Sequence, residues 1–170
     1  MLHRMPSPQY DRVDRAILDH LQRFGRTPNV DLAEAVGLSP SACLRRTKAL
    51  EEAGLIAGYR AELDHERLGL GLTAFVALKV AGHSRAASRA VEEALTAIPA
   101  VVACHVVSGE ADFLVEAVLP DLAAYERVLL DRILAIPHVV DAHSTFAIRS
   151  VLSRGPLPLD DWPKRGQRNR

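Results

Sequence analysis

The chain has 170 residues, 48% of them apolar, and its 21 basic and 21 acidic side chains cancel to a formal charge of zero. This length allows one domain or two small ones, and the apolar content excludes a disordered tail. Two cysteines exclude a disulfide framework, and no apolar run is long enough to span a membrane. The zero sum argues against a nucleic-acid binder until it is divided. Residues 1–60 carry +2, residues 61–155 carry −4 and residues 156–170 carry +2. The first ten residues lack the apolar stretch of a signal peptide, so the expected compartment is a reducing cytoplasm, with no membrane partner.

From Asp11 to Phe24 the apolar residues Val13, Ile17, Leu18, Leu21 and Phe24 form a helical stripe, with Asp14, Arg15, Asp19, Gln22 and Arg23 outside it. Gly25 ends it. A shorter helix follows Thr27-Pro28-Asn29, with Thr27 or Asn29 as N-cap and Val30, Ala33 and Val36 turned inward. Gly37 ends the second helix. Leu38-Ser39-Pro40 then reads as hydrophobic staple, N-cap and first helical residue of a third helix running to about Ala53. Its inward residues are Cys43, Thr47 and Leu50. Ser41, Arg45 and Lys48 face outward, with Arg46 and Ala49 beside them.

A short helix, a Gly-containing turn and a helix with basic residues outward describe a helix-turn-helix, whose second helix enters the DNA major groove. The expected contact set is Ser39, Ser41, Ala42, Arg45, Arg46, Lys48 and Arg60. Ser41, Ala42 and Arg45 are assigned to bases, since an Arg fork bonds bidentately to guanine and an Ala can meet a thymine methyl. Arg46 and Lys48 are assigned to phosphates. A plain solvated face on a three-helix domain is the alternative reading. Leu55 to Leu63 alternates weakly around Gly58 and is expected to form a small β-wing, with Arg60 reaching a phosphate.

In the second half, Ala97-Ile98-Pro99-Ala100-Val101 recurs as Ala135-Ile136-Pro137-His138-Val139, offset by 38 residues. Each Ile-Pro closes a helix, because Pro disfavours helical geometry in the residue before it. The helices are expected over Ser84–Ile98, with Val91, Ala94, Leu95 and Ile98 inward, and over Asp121–Ile136, with Leu122, Tyr125, Leu129 and Ile133 inward. Strands are expected at Leu72–Val80, Val101–Val107, Asp112–Leu119 and Val139 to about Leu152. The order βαββαβ is the ferredoxin-like split arrangement. Its strands are apolar on both faces while two helices cover only one, which predicts sheet-to-sheet homodimerisation. The expected divisions are residues 10–62 for DNA binding, a linker over 63–71, an αβ domain over 72–152 and a mobile basic tail over 153–170.

Asp14-Arg15-Ala16-Ile17-Leu18, Leu32-Ala33-Glu34-Ala35-Val36-Gly37-Leu38-Ser39, Arg45-Arg46-Thr47-Lys48-Ala49-Leu50-Glu51, Gly54-Leu55-Ile56 and Gly109-Glu110-Ala111-Asp112-Phe113-Leu114 occur in this order. Together they resemble the Lrp/AsnC family of feast/famine transcriptional regulators, over about Tyr10 to Leu152. The resemblance implies an α+β chain: an N-terminal winged helix-turn-helix, then a ferredoxin-like βαββαβ domain of the RAM/AsnC type. It implies binding to a roughly palindromic double-stranded DNA operator, and dimers that assemble further, commonly to octamers. It also implies an effector, usually an amino acid, held between αβ domains, and no other cofactor. Carried onto this chain, the effector site falls on Gly109, Glu110 and Asp112, with Thr145 on the facing last strand. Glycine admits close backbone approach, and a carboxylate can receive an ammonium. Gly109 and Asp112 equally suit an ordinary hairpin turn. Ala111 departs from the larger residue many members carry there.

Other readings are weaker. The seven histidines lack the paired spacing of a zinc site, although His105 and His143 lie on strands that could be neighbours. Cys43 and Cys104 read as small core residues. Similar folds occur in tetrapyrrole decarboxylases, which use His and Arg in the αβ cleft; here the histidines are scattered and the sole tryptophan, Trp162, is in the tail. An effector-binding module without DNA contact is disfavoured by the intact helix-turn-helix. Eight unclustered aromatics disfavour RNA binding by stacking.

Overall fold

A computed structural model of the chain describes residues 10–82 and 84–159. Trp162, His3, His83 and the basic residues after 159 lie outside the described residues. The described residues divide into two compact units, one formed by residues 10–62 with 152–159 and one within residues 63–151.

The first unit contains α1 (Arg12–Phe24), α2 (Asn29–Ala35) and α3 (Pro40–Glu52). Ile17 and Leu21 of α1, Leu32 and Ala33 of α2, and Cys43 and Leu50 of α3 form its buried apolar core. Leu38 packs against this cluster, as a hydrophobic staple should. Three expectations change. Phe24 and Val30 are exposed, because the buried face of α2 is set by Leu32-Ala33 and Phe24 stands on the last residue of α1, against the His20 ring. Asp14, expected outside the stripe, is buried. Neither Thr27 nor Asn29 caps α2: Pro28 occupies the N-cap without a side-chain bond, and the Asn29 amide donates to the Pro40 carbonyl at 2.8 Å.

The expected β-wing does not form as strand among residues 55–63. Its first residues are used to close α3 instead. Gly54 takes φ +73°, and the Leu55 and Ile56 N–H groups both return to the Leu50 carbonyl. Leu157, within the segment expected as a mobile tail, is hydrogen-bonded to α1. Gln22 of α1 donates from Nε2 to the Leu157 carbonyl at 3.0 Å and accepts the Leu157 N–H at 2.8 Å.

In the second unit β1 (Leu72–Val80), β2 (Val101–Val106), β3 (Phe113–Leu119) and β4 (Val139–Phe146) form one antiparallel sheet in the order β2-β3-β1-β4. α4 (Arg85–Thr96) and α5 (Leu122–Val128) lie in the βαββαβ order expected. Ser84 and Asp121 cap them, accepting from Ala87 and Ala124. The segment expected as a linker is not slack. Residues 64–70 close a turn in which Asp64 accepts the Leu68 N–H on its carbonyl and the Arg67 N–H on its side chain.

The two Ile-Pro repeats make the same turn: Val101 donates to the Ile98 carbonyl and Val139 to that of Ile136, each bridging its proline. They differ upstream. After α5 the backbone widens into one π turn over Leu129–Ile133, where the Leu134 N–H reaches the Leu129 carbonyl. Leu122, at the first position of α5, is exposed, whereas Tyr125, Ile133 and Ile136 are buried. They meet Val91, Leu95 and Ile98 over Ala74, Val76, Leu78, Phe113, Val115 and Ala117 of the sheet.

β4 is shorter than expected. It pairs only with β1, and its last backbone bond runs from Ala147 to Thr73, next to the start of β1. With no partner left, Ile148, Val151 and Leu152 are exposed despite their apolar character. Ile133→Ala should therefore lower stability in urea unfolding by about 2–5 kcal/mol. Ile148→Ala should leave the midpoint unchanged; a comparable loss there would contradict this end of the sheet.

Candidate DNA interface and effector region

The start of α3 is built by Ser39. Its Oγ accepts the Ala42 N–H at 3.4 Å, with Pro40 as first helical residue. Ser39 thus serves the helix end. Cys43 and Leu50 face the core, so the opposite side of the helix presents Ser41, Arg45, Lys48 and Glu52, all exposed. Ala42 is half-buried at the flank. Among the described residues, Arg45, Lys48 and the exposed Arg60 make no ion pair. Tyr59, in the segment after α3, donates its hydroxyl to Glu51 at 2.9 Å. Burial, then this carboxylate, pushes its pKa up to about 12, so the donor persists through any neutral assay.

Arg46 does not share this face. Its Nη1 lies 2.8 Å from Asp14 Oδ1 and 2.9 Å from Asp11 Oδ2. The expectation that it meets a phosphate is replaced, because its guanidinium already serves two carboxylates on α1. Its pKa is raised by its hydrogen bonds to Asp14 and Asp11. Asp11 and Asp14 also form a capping box at the N-terminus of α1. The Asp14 N–H, together with the Arg46 guanidinium, holds the Asp11 carboxyl below its ordinary value.

In the second unit Gly109 takes φ +130°, in the hairpin between β2 and β3, and Glu110 beside it is exposed. Asp112 is committed to the fold. Its Oδ2 accepts the Val80 N–H at 2.8 Å, its own N–H reaches the Leu78 carbonyl, and its carbonyl accepts from Val107. This ties the hairpin to the end of β1. Thr145 is not brought to these residues within one chain. It pairs with Phe75, three residues along β4 from Ala142, while Ala142 pairs with Leu78 near the hairpin. Two strand spacings and four residues separate it from Asp112, on the order of 16 Å.

The helix-free face of the sheet is more polar than expected. Phe75 (38% exposed), Leu114 (37% exposed) and Ala77 share it with Glu116, Thr145, His143, His105, Lys79 and Asp141. His105 and His143 are not on neighbouring strands: the row runs His105, Leu114, Ala77, His143 from one sheet edge to the other. No group of three or more metal-ligating side chains gathers among the described residues. Cys43 is buried and Cys104 half-buried, both free thiols; burial, then Glu92, raises the Cys104 pKa.

Two family models cover these units: a winged helix-turn-helix DNA-binding domain over residues 10–57 and the Lrp/AsnC ligand-binding domain over residues 73–157. The chain belongs to the Lrp/AsnC family. Like its family, it is a DNA-binding transcriptional regulator. It is 37% identical over 159 residues to the leucine-responsive regulatory protein of Escherichia coli K12, covering 92% of this chain and 95% of that one. It is 38% identical to the Bkd operon transcriptional regulator of Pseudomonas aeruginosa, covering 89% and 99%. A transcriptional regulator of Neisseria meningitidis, solved as a complex with L-methionine, matches with a TM-score of 0.86 at 37% identity, covering 90% and 99%. Within this Lrp/AsnC chain, no helix among the described residues is long and apolar enough to cross a membrane.

Asp112→Ala should destabilise the αβ unit by about 1–3 kcal/mol with no effector present, since the Val80 N–H loses its acceptor. An Ala variant as stable as the parent in urea would refute the anchoring role. For Asp11 the folded pKa is lowered. Its contribution is therefore full at neutral pH and fades as pH falls through that depressed value. Melting temperatures of the parent and Asp11→Ala should differ at pH 7 and converge below about pH 4.

Proposed function

We propose that this regulator binds a roughly palindromic operator as a homodimer, reading bases with Ser41, Ala42 and Arg45 and holding phosphates with Lys48 and Arg60. The observation that carries this reading is the α3 face on which Ser41, Arg45 and Lys48 stand exposed, the two cations without an ion pair among the described residues. An Arg fork suits guanine O6 and N7, and a lysine serves phosphate as a point charge. Ser39 contributes by capping the helix that carries them. Two-fold protein symmetry then requires two half-sites about one helical turn, or a multiple, apart.

Dimerisation uses the helix-free face of the sheet, with Phe75, Ala77 and Leu114 as its apolar centre. Further assembly of dimers, as large as an octamer, follows the family pattern. The effector is of the amino-acid class and binds between αβ units near Gly109 and Glu110. Thr145 joins such a site from a facing copy. Asp112 supports it by fixing the hairpin and has one carboxylate oxygen, Oδ1, left for an ammonium group. The L-methionine complex of the Neisseria meningitidis relative supports this ligand class.

Footprinting on the DNA upstream of its own gene, with and without L-methionine and then each other amino acid, tests both parts. A protected two-fold site that changes with one amino acid is expected. Arg45→Ala should lose about 1–3 kcal/mol of discrimination at one base position. Lys48→Ala should weaken all sequences alike and reduce the salt slope by about one. Unchanged footprints in both variants would sink the α3 assignment. A monomer by light scattering at micromolar concentration would sink the dimer.

A further inference from the structure

We propose that Asp14 is a positioning residue for DNA reading. Acting through Arg46, with Asp11, it fixes how far α3 is rotated about its own axis. The inference rests on the assignment of the exposed α3 face to DNA.

Each carboxylate in this cluster divides its two oxygens between two helices. Asp11 Oδ1 accepts the Val13 and Asp14 N–H groups, at 2.8 and 2.9 Å, while Oδ2 meets Arg46. Asp14 Oδ2 accepts the Asp11 N–H at 3.0 Å, while Oδ1 meets Arg46. Arg46 is thus bonded to the capping box itself, the most tightly hydrogen-bonded end of α1. Both contacts converge on one nitrogen, Nη1; Asp14 is 13% and Arg46 31% exposed, while Asp11 is 49% exposed, so the Asp14 contact is the shielded one. These hydrogen bonds and ion pairs join α1 and its N-cap to α3.

Apolar contacts such as those of Cys43 and Leu50 are non-directional and tolerate a small roll of the helix. Charge-assisted hydrogen bonds are directional and do not. The consequence for Arg45, the next residue along, is geometric. A roll of about 20° moves a group about 6 Å from the helix axis by about 2 Å, enough to break a base contact. The cluster also excludes the other role for Arg46. Two carboxylates and one guanidinium leave it net negative, so it repels a phosphate.

The test uses the full chain and measures affinity for its footprinted site and for a scrambled duplex across a salt series. Circular dichroism confirms folding of each variant. Asp14→Asn and Arg46→Met should each lower the specific-to-scrambled affinity ratio about tenfold, the size of one lost base contact. The double variant should lose no more than either alone, and the salt slopes should not move. Arg46→Lys keeps the charge a phosphate would need but loses the planar geometry, so its ratio should fall while its slope stays. Three results would overturn the proposal: a salt slope reduced by about one in Arg46→Met alone, the mark of a phosphate contact; ratios unchanged in folded Asp14→Asn; or an unchanged ratio in Arg46→Lys. Should Asp14→Asn fail to fold, the Arg46→Lys ratio decides.

Discussion

Two helices can cover only one face of a four-stranded sheet, and much of this molecule follows from that geometry. α4 and α5 bury Ala74, Val76, Leu78, Phe113, Val115 and Ala117 on one side. The alternate residues of the same strands are left facing away. What stands there is mixed: Phe75 and Leu114 are partly exposed, among Glu116, Thr145 and two histidines. A face of this kind is neither a core nor an ordinary solvated surface. It suits the proposed contact between copies, in which some polar groups would keep partners.

The DNA-binding unit meets a different constraint. Its helices are short and its buried apolar set is small, and burial is non-directional, so it does little to fix the rotation of α3. Polar contacts supply the missing direction. Asn29 ties α2 to the first residue of α3, Tyr59 ties the following segment to Glu51, and the α1 capping box holds Arg46. The cations left over, Arg45 and Lys48, are those on the outer face. The division of labour between neighbouring arginines is thus set by their angle around one helix.

Most of the architecture was legible in the sequence because it rests on local signals. Leu72–Val80 and the caps Ser84 and Asp121 are where period and capping rules place them. What was not legible depends on distant partners. Asp14 reads as a surface acid until Arg46, 32 residues away, is found beside it. The apolar run after Phe146 reads as strand until β1 is seen to begin opposite it, leaving no partner beyond. Asp112 carries the residue type of a ligand-binding group, yet its acceptor is used by Val80, which no spacing rule reveals. His105 and His143 stand on the two outer strands with β3 and β1 between them, a separation set by strand order and not by spacing along the chain. The α3 face was found because helical angle alone determines it.

The pairing of Gln22 with Leu157 has a consequence for how the chain is threaded. The backbone leaves the DNA-binding unit near Glu62 and is again counted within it from Leu152. The αβ unit is therefore an insertion with two covalent crossings, rather than a bead on a single string. The chain therefore crosses between the two units twice, and cleaving one crossing alone leaves the other covalent connection in place.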